Sequence, residues 1–476
     1  MLRPRGGSAK CPAIDVPHES THLPFQTRLG NIRDASIRII SRKKNRTICH
    51  SFSKIIGLHG IHDPQMVTLF NVPADLEPWL PGASQIDGLL EKAHDLRTEA
   101  ARLSGVFQTG MGQELAKLLL AMNSYYSNQI EGEHASPLEI GRALVGGFSC
   151  DADRARRQRL AVAHTETERW LHEPSRATGD LYTVQTLRDI HAHLFGPLSD
   201  SDRHVRLPNK QGKATEAVMV SPGAFRTRHV AIGHHIPPDW KVLDALLRHW
   251  SAVYGGVRRG EMQIVAAAAA HHRLVWIHPF LDGNGRTARL HTMAVLQSLG
   301  LTAGLWSPLR GLARSGDRYH EKLSNADMPR NSQDGQHSER MLAEWIDFFL
   351  DVCLDQVRCM GRMLNLQEMQ GRMEALLAHE EQVIKRGLRK EALRPLHYLF
   401  ATQGALTRGD FASMTGLGER TATTLIGKLL ATGLLQSDSP RGLVRFGVPM
   451  DALRFLFPNL WPEAEADVAS VYEGET

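Results

Sequence analysis

The chain has 476 residues, 42% hydrophobic and 22% charged, with a formal net charge of +5. That length allows two to four domains and a substantial core, and no apolar run approaches the roughly 20 residues a membrane-spanning helix needs, so no membrane crossing is expected. Five scattered cysteines in no CxxC pattern indicate neither a disulfide framework nor a zinc ribbon and fit a reducing cytoplasm.

The charge is uneven. Residues 1–65 hold 11 Lys or Arg against 4 Asp or Glu, which leaves the other 411 close to neutral, so the high pI does not itself point to nucleic acid. This basic head includes Ser-Arg-Lys-Lys-Asn-Arg at 41–46 but no long apolar stretch of the kind that opens a secretory signal. It is expected to be a disordered or spurious extension, with Met66 an alternative start.

Residues 67–79 read as an extended lead-in. From Ile86 the apolar spacing is helical, and Gln113 to Tyr126 makes a second helix with Leu115, Leu118, Leu119 and Met122 on one face, stopped by Gly132. Helices over 137–144 and 154–170 complete an N-terminal region at 66–175. The next unit, 176–350, opens with a helix from Thr183 to about Phe195. An irregular segment, 196–228, then leads to a short β-like flap at Val230–Ile232. Helices follow at 240–253 and 262–276, the latter with an alanine run suited to close packing in the centre.

A long helix is expected over 341–370, leading out of the 176–350 unit into a connecting helix at 351–390. Residues 391–460 then read as helix, helix, Gly-bearing turn, helix and hairpin, the order of a winged helix-turn-helix. An acidic tail occupies 461–476. The fold class expected is mainly α with a small β-hairpin flap.

The chemistry concentrates at Ile277–Arg289, which places His278, Asp282, Gly283, Gly285, Arg286 and Arg289 within twelve residues of one another. Pro279 ends the upstream helix, the glycines allow close backbone approach, and Asn284 is read as the cap of a following helix. Free N–H groups at that helix start, beside two guanidiniums three residues apart, point to an oligophosphate site. His234–His235 and His271–His272 lie in no HExxH pattern and are expected to line the core or the flap rather than bind metal.

His278 to Arg289 meets every fixed position of His-Pro-Phe-x-(Asp/Glu)-Gly-Asn-Gly-Arg-x-x-Arg, and so resembles the signature of the Fic family. Phe225–Arg226 with 230–238 resembles that family's flap, and 345–350 its closing helix. The resemblance implies an all-helical core and transfer of AMP from ATP to a Ser, Thr or Tyr hydroxyl of a target protein. It implies His278 as general base, Asp282 as the Mg2+ ligand, and Gly283, Asn284 and Gly285 as an anion hole. Arg286 and Arg289 would face the β- and γ-phosphates, and Val230, Ala231 and Ile232 would pair with the target backbone.

Beside that motif, Ser127-Asn-Gln-Ile-Glu-Gly132 resembles the family's inhibitory helix, expected at about 115–132. Glu131, with Ser127 nearby, would then occupy Arg289 and hold ATP in an unproductive pose. Two alternatives remain open: removal of AMP, with Glu131 positioning water, and a non-catalytic nucleotide-sensing regulator that binds DNA. DNA contacts would fall to Arg420, Thr423, Lys428, Arg441 and Arg445. Self-modification and a homodimer are further expectations.

Overall fold

The computed structural model describes residues 72–106, 109–173, 180–208, 215–232, 235–258, 260–327 and 338–464. The basic head and most of the acidic tail lie outside them. No helix among the described residues is long and apolar enough to cross a membrane.

The N-terminal helices are α1 (Ala83–Val106), α2 (Thr109–Ile130), α3 (Pro137–Leu144) and α4 (Ala152–Leu171). Their starts follow capping chemistry. Ser136 accepts from Glu139 N while the Glu139 carboxylate answers the Ser136 N–H, and Asp151 accepts from Arg154 N. The next helices are α5 (Val184–Phe195), capped by Thr183, then α6 (Leu243–Gly255), α7 (Gly260–Ile277) and α8 (Asn284–Ser298).

Helix α7 is the buried centre, as its alanines suggest. Ile264 to Leu274 is buried throughout, and two indoles reach its carbonyls: Trp250 Nε1 donates to Ala270 O at 3.1 Å and Trp345 Nε1 to Ala268 O at 2.8 Å. Small side chains let both large rings approach the helix backbone. His271 and His272 are buried in this helix, and among the described residues no cluster of three His, Cys, Asp or Glu could hold a metal.

Several expectations need correction. The only paired strands between α5 and α6, among the described residues, are β1 (His204–Pro208) and β2 (Thr215–Met219), inside the segment read as irregular. The expected flap at 230–232 forms no strand but a single bridge from Ile232 to His235. Val205 and Val218 sit opposite each other, and Glu216, on the same face as Val218 and paired with Leu207, hides the alternation of the second strand. Two helices were not expected, α9 (Leu309–Arg314) and α10 (Gly316–Ala326).

The long helix expected over 341–370 is two, α11 (Glu339–Met363) and α12 (Leu366–His379). Asn365 starts the second by accepting from Gln367 N and Glu368 N, so a local cap interrupts an apolar period that runs on through it.

The C-terminal region holds α13 (Leu393–Thr402), β3 (Ala405–Leu406), α14 (Arg408–Thr415), α15 (Glu419–Ala431), β4 (Leu435–Gln436), β5 (Val444–Phe446) and α16 (Leu453–Leu456). The strands form a sheet in the order β3-β5-β4, so the expected hairpin gains a third strand. This region packs onto α2: the Tyr126 hydroxyl donates to Leu460 O at 2.9 Å, and Gln436 Nε2 donates to Glu114 Oε2 at 2.5 Å.

One buried carboxyl carries a stability prediction. Glu168, in α4, accepts from Asn123 Nδ2 at 2.6 Å, and burial pushes it up to about 8. Its folded-state pKa lies above the unfolded value, so its contribution is most favourable in acid and is lost as pH rises from the ordinary carboxylate range through about 8. Glu168→Gln is expected to melt above the wild type at about pH 8 and to match it at about pH 5. Thermal denaturation at the two pH values checks this.

Candidate active site

Helix α7 ends in an unusual turn. His278 has φ 51°, a left-handed conformation at a position where glycine is common, and its N–H bonds Leu274 O at 3.1 Å. Arg226, itself 2% exposed, supports the strained turn. Its Nε donates to His278 O at 2.8 Å, its Nη2 donates to Pro238 O at 2.5 Å, and its backbone N–H donates to Pro279 O at 2.9 Å. The flap region and the motif are thus joined by one guanidinium, which burial lowers to about 10.

His278 keeps one ring nitrogen open. Its Nδ1 lies 3.3 Å from Val275 O, a pairing that requires the proton on Nδ1 and leaves Nε2 with its lone pair. Burial, then the neighbouring His235 and Arg226, push the imidazole down to about 3. At neutral pH it is therefore uncharged and able to accept a proton.

The loop after it is tied internally. Asn284 Oδ1 accepts from Phe280 N at 2.8 Å and its Nδ2 donates to Phe280 O at 2.9 Å. The cap of α8 is Gly283, not Asn284, whose amide is spent on the loop, so only its backbone N–H is left to face an anion. Gly283 has φ 75°, and a Cβ there would lie 2.3 Å from Phe195 Cε2. Gly283→Ala is expected to destabilise the fold by about 1–3 kcal/mol, measured by denaturant midpoint, because it adds both strain and overlap.

His191, on α5, reaches the same loop. Its ring stacks on Phe280 with centroids 3.9 Å apart, its Nε2 lies 3.2 Å from Asp282 O, and its Nδ1 accepts from Gly223 N at 2.9 Å. The apolar spacing of α5 places it on the inward face with Leu187 and Leu194, but nothing local distinguishes it from a core histidine.

The cations differ in what they bind. Arg286 Nη2 donates to Asp282 Oδ2 at 3.2 Å, while its buried Nε and Nη1 have no protein partner. Buried guanidinium donors left open beside a helix N-terminus have the chemistry that suits an anion. Arg289, 1% exposed, is fully engaged: Nε donates to Ser127 Oγ at 3.0 Å, and Nη2 donates to Ser127 O at 3.0 Å and to Glu131 Oε1 at 2.5 Å. Burial would raise the Glu131 carboxyl, but Arg289 and Arg286 together hold it below the usual range.

Helix α2 ends at Ile130, so Glu131 sits in the turn just beyond it, followed by Gly132 at φ 73°. A Cβ at Gly285 would meet Glu131 Oε1 at 2.3 Å, so this carboxylate lies directly against the first turn of α8.

Asp282 has a side chain 37% exposed. Ala231 is exposed, and Val230 and Ile232 are half-buried beside it. In the C-terminal region Arg420, Thr423, Arg441 and Arg445 are exposed and Lys428 is half-buried. Arg445 pairs with Asp438 at 2.7 Å, and the Thr423 hydroxyl donates to Glu419 O within its own helix.

Fold and site together define a helical domain with a glycine-bearing loop at a helix start, an adjacent neutral histidine and the Glu131 carboxylate lying against that helix start. Residues 181–296 match the model of the Fic/DOC family, so this part of the chain is a Fic domain. The chain is 25% identical over 254 residues to a "Protein adenylyltransferase Fic" of Aedes aegypti, covering 53% of this chain and 45% of that one. It is 26% identical over 275 residues to the protein of the same name from Culex quinquefasciatus, covering 57% and 49%. The match thus spans about half the length of these curated relatives. A crystal structure of a Fic family protein from Desulfovibrio desulfuricans aligns at 16% identity with a TM-score of 0.43, covering 75% of this chain and 95% of that one.

Proposed function

We propose that this chain is a protein adenylyltransferase that moves AMP from ATP to a Ser, Thr or Tyr hydroxyl of a target protein. The observation that carries it is a histidine with Nε2 open beside a helix start where Arg286 presents two unpartnered buried N–H donors. The names of the similar curated proteins agree with it.

In the proposed step the target hydroxyl oxygen attacks the α-phosphorus of ATP, and His278 Nε2 takes the hydroxyl proton. The bond from the α-phosphorus to the αβ-bridging oxygen breaks, and pyrophosphate leaves with the electron pair. The N–H groups opening α8 face the charge that develops on the α-phosphate, and Arg286 faces the phosphates beyond it. Val230–Ile232 offers backbone for an added target strand.

Mg2+ fits the donor set. A single partly exposed carboxylate, Asp282, is the arrangement in which this ion keeps waters and takes its other oxygens from substrate phosphates. When bound, it would offset phosphate charge. Incubation with labelled ATP and Mg2+ tests the proposal: label must reach protein in the wild type or Glu131→Gly and vanish with His278→Ala. Bound nucleotide without turnover would make the chain a sensor, and loss of pre-attached AMP that needs Glu131 would make it the reverse enzyme.

For residues 391–460 we propose a winged helix-turn-helix that binds duplex DNA through α15. The exposed Arg420, Thr421, Thr423 and Thr424, with Lys428 on the same helix and Arg441 nearby in sequence, support this reading. Arg420→Ala and Lys428→Ala in the full chain are each expected to weaken duplex binding and to reduce the salt slope by about one. A binding curve indifferent to salt would end the DNA reading.

A further inference from the structure

His191 lies outside the recognised motif, yet its ring ties the loop of that motif to the segment that leads into Arg226. It is buried on α5, and two phenyl rings stack on it: Phe280 at 3.9 Å between centroids and 7° from parallel, and Phe195 at 4.6 Å.

Its partners assign its tautomer. A backbone N–H can only donate, so Nδ1, 2.9 Å from Gly223 N, is the bare nitrogen. The ring proton therefore sits on Nε2, which donates to Asp282 O at 3.2 Å. The approach of Gly223 is close: its φ is 72°, and a Cβ there would lie 3.1 Å from Arg188 O, so glycine is what brings this N–H against α5.

The acceptor decides what the clamp does. Asp282 O belongs to the peptide that joins Asp282 to Gly283, and a trans peptide directs its N–H opposite to its carbonyl. With the carbonyl held on the imidazole, the Gly283 N–H is turned away from it at the start of α8. We propose, resting on the adenylyltransferase reading for the choice of ligand, that His191 is a positioning residue that fixes the Asp282–Gly283 peptide so that the Gly283 N–H meets the phosphate on which charge develops.

The test uses the full chain carrying Glu131→Gly, alone and with His191→Gln, His191→Asn or His191→Phe. A Gln amide extends as far from Cβ as Nε2 does and keeps a donor for Asp282 O. An Asn amide stops where Nδ1 stands and keeps only an acceptor for Gly223, while Phe keeps the stacking alone. In transfer of labelled AMP, the Asn and Phe variants should lose about tenfold in kcat, less than the ~10²–10³ that removal of a whole oxyanion donor costs, with KM for ATP within about twofold. His191→Gln should recover most of the lost kcat. Hydrogen exchange over 279–285, followed without nucleotide, should be faster in the Asn and Phe variants than in Gln.

Unchanged kcat in the Asn and Phe variants would overturn the positioning role. So would a loss in Gln as large as in Asn, the result that a merely structural histidine gives. Should the Glu131→Gly chain with His191 intact transfer no label, the transferase reading fails, while loop exchange that only Gln restores still sustains the hold of His191 on the Asp282 carbonyl.

Discussion

Replacing Glu131 by glycine is expected to raise transfer of labelled AMP by about tenfold or more, the factor that ~1.4 kcal/mol of lost competition produces. The expectation follows from where the carboxylate lies. It bonds Arg289 at 2.5 Å and lies against Gly285, so it occupies both the cation proposed to hold phosphate and the helix start an oxyanion would use. A buried cation cannot serve two anions at full strength in a site of low dielectric. The rise should come with a lower melting temperature, because Arg289 loses its charge partner while remaining buried. Equal rates for the two proteins in an ATP-labelling gel would remove the inhibitory role.

His278→Ala in the Glu131→Gly background is expected to lower transfer by about 10²–10⁴, the usual contribution of a positioned general base. The pH dependence sharpens the assignment. An unperturbed imidazole, with pKa near ~6.5, would lose its basic form progressively below neutrality. Burial has pushed this one down to about 3, so the basic form persists well into acid. The profile of kcat/KM should therefore stay flat between about pH 5 and 7, with no ascending limb near ~6.5. A limb at that position, lost in His278→Ala, would show that the imidazole titrates as though it were exposed.

Much of the site was legible because its chemistry is local. His278, Asp282, Gly283 and both arginines fall within one turn-and-helix segment whose spacing dictates a loop followed by a helix start. Ser127 and Glu131 were legible only through resemblance, since the same residues at any helix end would read as a C-terminal stop. His191 and Arg226 meet the loop through contacts made by segments far apart in sequence, and a buried polar residue carries no mark of which loop it will meet. The strands β1 and β2 were missed because the first is short and Glu216 falls on the Val218 face of the second, and the break between α11 and α12 because the apolar period continues across the cap at Asn365.

By itself the sequence determined a mainly helical chain, an alanine-rich central helix and a glycine-bearing loop that carries its histidine and arginines in order into a helix. Those properties depend on residue type and spacing over a few turns. Tertiary structure alone decided the state of that loop. Folding brings Glu131 within 2.5 Å of Arg289 across 158 residues of chain and leaves two buried donors of Arg286 without protein partners. It also half-buries His278 beside His235 and Arg226, which keeps the imidazole neutral. Desolvation and long-range charge pairing set these outcomes, and neither is defined until the chain has closed around the site.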